Sequence, residues 1–159
     1  MAIKCTVSEQ INAPAEAVFA AATDIPSFPQ RISGIKSVEV HTPGPMAKGT
    51  KFSETRVMFG KEARATMDVV DFQPGRSYTT LSTSGGCEYR MVVSVQPVGG
   101  AGGGARSSEI KFDFTGKPLT FLTKVTSPLQ ALMVRTVGAK ALRKDLADLK
   151  AALEKQAQG

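Results

Sequence analysis

Residues 3–32 read IKCTVSEQINAPAEAVFAAATDIPSFPQRI, and this opening restricts the fold more than any other stretch. In residues 3–11, Ile3, Cys5 and Val7 alternate with polar side chains, which is the pattern of a half-buried strand. Two short helices are predicted directly after it, the second with a proline near its start. One strand followed at once by two short helices is an unusual beginning for a domain.

The middle of the chain is predicted to be entirely β. The breaks between its strands are rich in glycine and proline, and short connections between successive strands favour an antiparallel meander. Six strands are expected, near residues 35–41, 50–59, 62–73, 76–83, 86–96 and 106–115.

The C-terminal part changes to a helical pattern. Ser127 and Pro128 predict an N-cap and a first turn, and Leu142, Leu146, Leu149 and Leu153 form one stripe along a helix of about 28 residues. The economical arrangement is a curved antiparallel sheet of about seven strands wrapped around this helix, with the two short helices at one end. The predicted fold class is therefore α+β, with residues 1–159 as a single domain.

Three segments carry a resemblance to a known family. INAPAEAVFAAATDIPSFPQRISGIKSVEV (11–40), GTKFSETRVMFGKEARATMDVVDFQPGRSY (49–78) and LADLKAALE (146–154) resemble the START-like superfamily, also called Bet v 1-like, SRPBCC or polyketide cyclase/dehydrase-like. The resemblance extends over essentially the whole chain. It implies a helix-grip fold with a cavity between sheet and helix, in which members bind lipids, sterols, polyketides or other apolar molecules. Some members cyclise or dehydrate them, but no catalytic motif is shared, so the fold does not fix the chemistry.

The first hypothesis is therefore that the chain binds a small hydrophobic or amphipathic molecule in that cavity. The side chains expected to line the cavity are mostly large and apolar and lie on the strands and the long helix: Phe52, Met58, Met67, Tyr78, Tyr89, Met91, Val93, Phe112, Phe114, Phe121, Met133 and Val137.

The stretch FSETRVMF (52–59) carries the candidate catalytic residues. Both alternating faces of this strand are mixed, which is typical either of an edge with surface ion pairs between Glu54, Arg56 and Arg64 or of a strand that meets a ligand. If these residues point inward, Glu54 and Arg56 would be an acid/base and anion-anchoring pair. The alternative hypothesis is thus a cyclase or dehydratase that uses general acid/base residues.

No cofactor or metal is expected. GPMAKGTK (44–51) nearly matches a phosphate-binding loop, but threonine follows the second glycine and the stretch joins two strands instead of leading into a helix. His41 is the only histidine, and Cys5 and Cys87 fit reduced, buried positions in strands.

The glycine run in PVGGAGGGARSS (97–108) joins two alternating segments, so it is predicted to be a hairpin loop without a ligand. Centring the hairpin on the glycines pairs Tyr89 with Phe114, Met91 with Phe112 and Val93 with Ile110. The same register places Arg90 opposite Asp113.

Composition bears on partners. The chain has 20 Lys and Arg against 14 Asp and Glu, a net charge of +6, but the basic residues are scattered and no aromatic residues alternate with them. We therefore expect neither nucleic-acid binding nor stable membrane insertion, and we expect a cytoplasmic location. A further alternative is a lipid-delivery or interaction module at an anionic surface, and an edge strand such as 35–41 or 106–115 could pair in a homodimer.

Overall fold

A computed structural model describes residues 3–58, 60–99 and 107–158. Its centre is one antiparallel sheet in the order β1-β7-β6-β5-β4-β3-β2, curved around the C-terminal helix as the resemblance implies. The strands are β1 (Ile3–Ile11), β2 (Ile35–Val40), β3 (Lys51–Met58), β4 (Lys61–Gln73), β5 (Ser77–Ser84), β6 (Cys87–Val98) and β7 (Ser107–Pro118).

The sheet order corrects one expectation about its edges. The edges are β1 and β2, whereas β7 lies between β1 and β6 and has both neighbours paired. The predicted strand 106–115 is therefore not an edge that a second copy could extend, and of the two strands proposed for pairing only the one near 35–41 lies at an edge. Bulges in β2 and in β4 interrupt the ladders, and such irregularities bend strands.

The helices lie before β2 and after β7. They are α1 (Ala15–Thr23), a 3₁₀ turn (Ile25–Ser27), α2 (Phe28–Arg31), α3 (Phe121–Met133), a π-helical turn (Val134–Gly138) and α4 (Ala139–Gln158). α3, the π-helical turn and α4 follow one another without a break in the chain. The C-terminal helical region is therefore longer than the sequence pattern predicts.

The start of this helical region is not at Ser127 and Pro128, as predicted, but at Phe121. Thr120 and Thr123 cap it reciprocally: the Thr123 N–H donates to Thr120 Oγ1 (3.2 Å) and the Thr120 N–H donates to Thr123 Oγ1 (3.1 Å). Pro128 lies inside α3, where its ring removes one backbone donor. The Thr120–Thr123 cap provides partners for backbone N–H groups of the first helical turn, at least six residues before the predicted start. The helix therefore begins before Ser127 and Pro128.

The leucine stripe of α4 forms its contact with the sheet, as predicted. Leu146, Leu149 and Leu153 are buried, and Leu142 is half-buried against the core. Lys144 and Lys155 are exposed as expected. Asp148 is more covered than expected, because its Oδ2 accepts hydrogen bonds from the Ser33 N–H (3.0 Å) and hydroxyl (2.7 Å).

The β6–β7 hairpin is present, but its register differs from the prediction by two residues. Met91 pairs with Phe114 and Val93 with Phe112, while Arg90 lies opposite Thr115 and not Asp113. β6 ends at residue 98 and β7 begins at residue 107, which moves the centre of the connection about one residue toward the C-terminus from the predicted one. Most of the glycine run lies outside the described residues.

Two contacts favour the observed register. Glu88 pairs with Lys117, which brings opposite charges together across the strands. Tyr89 pairs with Gly116, whose missing side chain leaves room for the ring, and that ring stacks on Phe114 with centroids 5.6 Å apart. Apolar residues face the same side in both registers, because a shift of two residues preserves strand alternation.

Candidate functional site

The concave face of the sheet carries both fully buried and half-buried side chains. Phe52, Tyr78 and Val93 are buried in the core. Beside them on the same face, other large side chains are only half-buried although most pack against the core: Met67, Tyr89, Met91, Phe112 and Phe114. These belong to the predicted ligand-binding set, and the structure places them on one face of β4, β6 and β7.

An ion cluster lies at the side of this face. Arg56 of β3 donates from Nε to Glu54 Oε1 (2.7 Å), and its two terminal nitrogens donate to the two carboxylate oxygens of Asp145 in α4 (3.2 and 2.7 Å). Side-chain exposure is 25% for Arg56, 13% for Glu54 and 7% for Asp145. Gly34 lies against the guanidinium, where a Cβ would be 3.4 Å from Nη1.

The cluster ties the helix to the far side of the sheet. α4 packs mainly on β1 at one edge, whereas Arg56 is on β3, next to the opposite edge. The Arg56–Asp145 pair therefore spans the concave space, and the Ser33–Asp148 hydrogen bonds attach the same side of the molecule to α4 one turn later. The two contacts fix the distance between the helix and the strands that lie across from it.

The electrostatics of the cluster favour a permanently charged arginine. Burial alone would lower the pKa of Arg56, but the charges of Glu54 and Asp145 and their hydrogen bonds outweigh it and raise that pKa above its usual range. Arg56 therefore stabilises charge and does not transfer protons. Since it is already paired with two carboxylates, the anion-anchoring role proposed from the sequence does not suit it.

The tyrosines have different environments. Burial first, and then the charge of Glu54, raise the pKa of Tyr78, whose hydroxyl donates to the Ala22 carbonyl (2.9 Å) and holds β5 against α1. Tyr78 is thus a core residue. Burial also raises the pKa of Tyr89, with the nearby Cys87 thiol as a second cause, and its half-buried ring stacks on Phe114.

Several predicted site residues lie elsewhere. Arg64 is exposed and pairs with Glu39 (2.6 Å), away from the Glu54–Arg56 pair, so it does not share their site. On the helix, Phe121, Met133 and Val137 are exposed. Met58 ends β3, and its side chain is outside the described part of the structure.

Two surface grooves lie apart from the predicted lining residues. One, of about 660 Å³, is lined by a mixture of polar and apolar residues from the β4–β5 turn, the end of β6, β7 and the start of α1. The other, of about 750 Å³, lies between α1 and the β2–β3 loop and includes Ala20, Met46 and Phe72. The second is the more apolar, and it was not predicted from the sequence, because the loop that forms it has no periodic pattern.

His41 lies on the edge strand side of the sheet, where Nε2 is 2.8 Å from Ser53 Oγ and Nδ1 is 3.8 Å from Glu39. Ser53 is only 2% exposed, beneath His41 and Thr66, so a substrate could not reach this hydroxyl. Within the described ranges, no group of three His, Cys, Asp or Glu side chains could hold a metal ion. Nor does any helix of these ranges have the length and hydropathy to cross a membrane.

Asp145 is the site residue that the sequence analysis missed. It lies three residues after Leu142 and four before Leu149, so its position on the apolar face of the stripe was visible in the sequence. A charged residue on a buried helix face requires a partner, and Arg56 is the one the fold provides.

Comparison with known proteins agrees with this architecture. A family model described as polyketide cyclase / dehydrase and lipid transport matches residues 2–154. No curated protein matches the sequence.

Solved structures share the fold at low sequence identity. A START superfamily protein from Mycobacterium smegmatis superposes with a TM-score of 0.73 at 14% identity, covering 96% of this chain and 98% of its own. The di-domain ARO/CYC StfQ from the steffimycin biosynthetic pathway gives a TM-score of 0.80 at 10% identity, covering 100% of this chain and 53% of its own. The structure of Ara h 8.0201 gives a TM-score of 0.67 at 13% identity, covering 98% of this chain and 99% of its own. With the family match over nearly all of its length, the chain belongs to the polyketide cyclase / dehydrase and lipid transport family.

Proposed function

We propose that the chain binds a small apolar or amphipathic molecule on the concave sheet face, against its half-buried side chains. The observation that carries this proposal is the half-burial of Met67, Tyr89, Met91 and Phe114 on the same face as the fully buried Phe52, Tyr78 and Val93. Large apolar side chains that are turned inward and remain partly exposed are the usual lining of a ligand site. The family's description and the helix-grip fold support the same assignment.

The ion cluster limits the polar group of the ligand. A guanidinium has five N–H donors, and three of those of Arg56 are used by Glu54 and Asp145 among the described residues. Its remaining donors suit an acceptor on the ligand. Because one cation stands beside two carboxylates, a neutral acceptor such as a carbonyl or hydroxyl fits better than an anion, which the surplus negative charge would repel.

Two fluorescent probes of the same shape test this proposal: neutral N-phenyl-1-naphthylamine and its sulfonate, 8-anilinonaphthalene-1-sulfonate. We expect the neutral probe to bind more tightly. Ala65 is half-buried on β4 opposite Glu54, so Ala65→Trp should fill the site and weaken the neutral probe about tenfold or more. The control Val57→Trp, at an exposed position of β3, should leave the affinity unchanged.

A third variant locates the site if the first fails. Ala20 lines the groove between α1 and the β2–β3 loop. If Ala20→Trp abolishes probe binding and Ala65→Trp does not, the ligand site is that groove and the concave-face proposal is wrong.

Catalysis is a second candidate function, favoured by the inward position of Glu54. A carboxylate beside a fixed cation could remove a proton next to a ligand carbonyl, the charge that develops being stabilised by Arg56. Deuterium exchange into the position next to the carbonyl of 1-tetralone, followed by NMR in D₂O, tests this step. Faster exchange with the parent protein that is lost in Glu54→Gln would support catalysis. Equal exchange rates with the parent and with Glu54→Gln would exclude this catalytic role and would leave ligand binding as the only proposed function.

A further inference from the structure

α3 exposes a broad apolar face. Phe121 is 83% exposed and Leu129 65%, and between and after them the exposed large apolar residues continue at the helical spacing. Among the described side chains, this apolar face consists of Phe121, Leu122, Val125, Leu129, Leu132 and Met133, preceded by exposed Leu119. A helix that packs against its own domain normally buries such residues.

The other side of the same helix makes the contacts with the sheet. Thr123 is buried, and Ala131 and Val134 are half-buried, roughly half a turn around the helix from Val125 and Leu129. The main sheet contacts of α3 are with β1 and β7. The apolar face is therefore not the packing face, and it points away from β1 and β7.

The stretch of sequence that contains α3 is basic. Between Asp113 and Asp145 the sequence contains no acidic residue and six basic ones: Lys117, Lys124, Arg135, Lys140, Arg143 and Lys144. Lys117 precedes α3, Lys124 lies in it and Arg135 follows it, and all three are exposed. An exposed apolar face flanked along the chain by basic residues is the pattern of a helix that lies in the interface of an anionic bilayer.

We propose that α3 docks, parallel to the surface, on membranes that contain anionic lipids. The apolar face would enter the boundary between headgroups and acyl chains, while the basic residues remain at the headgroups. A second copy of the chain fits this face poorly, because two identical basic segments would be brought together. This inference goes beyond ligand binding and does not rest on it.

Flotation of the full chain with vesicles tests the proposal, using phosphatidylcholine alone or with about one third phosphatidylglycerol. We expect binding to the anionic vesicles only, and its loss at high salt. Lys124→Glu with Arg135→Glu should weaken binding about tenfold or more, since each basic residue near the surface contributes about fivefold. Lys48→Glu with Lys61→Glu makes the same charge change at two exposed positions outside this segment and should have a smaller effect.

The apolar contribution needs its own pair of variants. Leu129→Ser should weaken binding about fivefold, whereas Val57→Ser, at a similarly exposed position on β3, should not. Each variant is checked for an unchanged unfolding midpoint and unchanged N-phenyl-1-naphthylamine binding, which separates docking from folding and from the ligand site.

Three results would overturn the proposal: no binding to anionic vesicles, equal effects of the paired variants, or equal binding to neutral vesicles. A concentration-dependent dimer that Leu129→Ser dissociates would assign the face to self-association instead, and would also overturn it.

Discussion

Replacing Arg56 by Met removes the cation from the site where two carboxylates meet. The methionine keeps much of the length and apolar volume of the arginine stem, so the change deletes charge and hydrogen bonds more than packing. What remains is Asp145 at 7% exposure and Glu54 at 13%, both without the guanidinium that faces them. Stranding a buried charge is costlier than losing a surface ion pair.

The size of the effect follows from these contacts. Breaking a buried pair by removing one partner costs about 3–5 kcal/mol. Arg56 retains 25% side-chain exposure, so some water reaches the cluster and we expect the lower end, about 3 kcal/mol. Asp145→Leu removes the more deeply buried carboxylate. The double variant Arg56→Met with Asp145→Leu should therefore be about 1.5 kcal/mol or more stable than the sum of the two single losses in unfolding free energy would give.

Urea unfolding with a constant slope measures these free energies. Arg64→Met is the matched control, because Arg64 forms an exposed ion pair with Glu39, and it should change stability by less than about 0.5 kcal/mol. A loss below about 1 kcal/mol for Arg56→Met, or additivity of Arg56→Met and Asp145→Leu within about 0.5 kcal/mol, would refute the argument that the cluster is a coupled, buried unit.

Three further predictions concern stability. Leu146→Ala should cost about 2–5 kcal/mol in urea unfolding, because the side chain is fully buried, and a loss under about 1 kcal/mol would contradict its place in the core. Gly86→Ala should lower the free energy of unfolding by about 2 kcal/mol or more, a clearly larger loss than that of Gly85→Ala. Both glycines have a positive φ, but only at Gly86 would a Cβ lie 3.0 Å from a side chain of the α3 cap. Equal losses in the two variants would exclude the clash. Burial acts to raise the pKa of Asp148, but the Ser33 hydrogen bonds and the Lys144 charge outweigh it and lower that pKa. The stabilisation by the ionised carboxylate is therefore present above about pH 4 and is lost as pH falls through the lowered pKa; a stability difference between Asp148→Ala and the parent that does not shrink in acid would contradict this.

Local patterns account for what the sequence predicted well. The order of one strand, two short helices, six strands and a long helix is correct, and most strand bounds differ from the structure by one or two residues. The periods of strands and helices and the turn residues between them act over a few positions, so they can be read without knowledge of the rest of the chain.

The errors arise where distant residues decide between local options. The register of β6 and β7 depends on where the loop ends and on the room that Gly116 leaves for Tyr89. The start of α3 depends on the Thr120–Thr123 cap, which also contacts the turn at Gly86. In each case two alternatives satisfy the same periodicity, and packing selects one.

The candidate site divides in the same way. The sequence by itself determined that Glu54, Arg56 and a row of large apolar residues lie on strands, because alternation is a local property. Only the tertiary structure decided that Glu54 and Arg56 face inward while Arg64 faces outward, and that Asp145 completes the cluster. The physical reason is that burying a charge is stable only beside its partner, and here that partner is brought across the concave space by the curvature of the sheet and by the packing of α4.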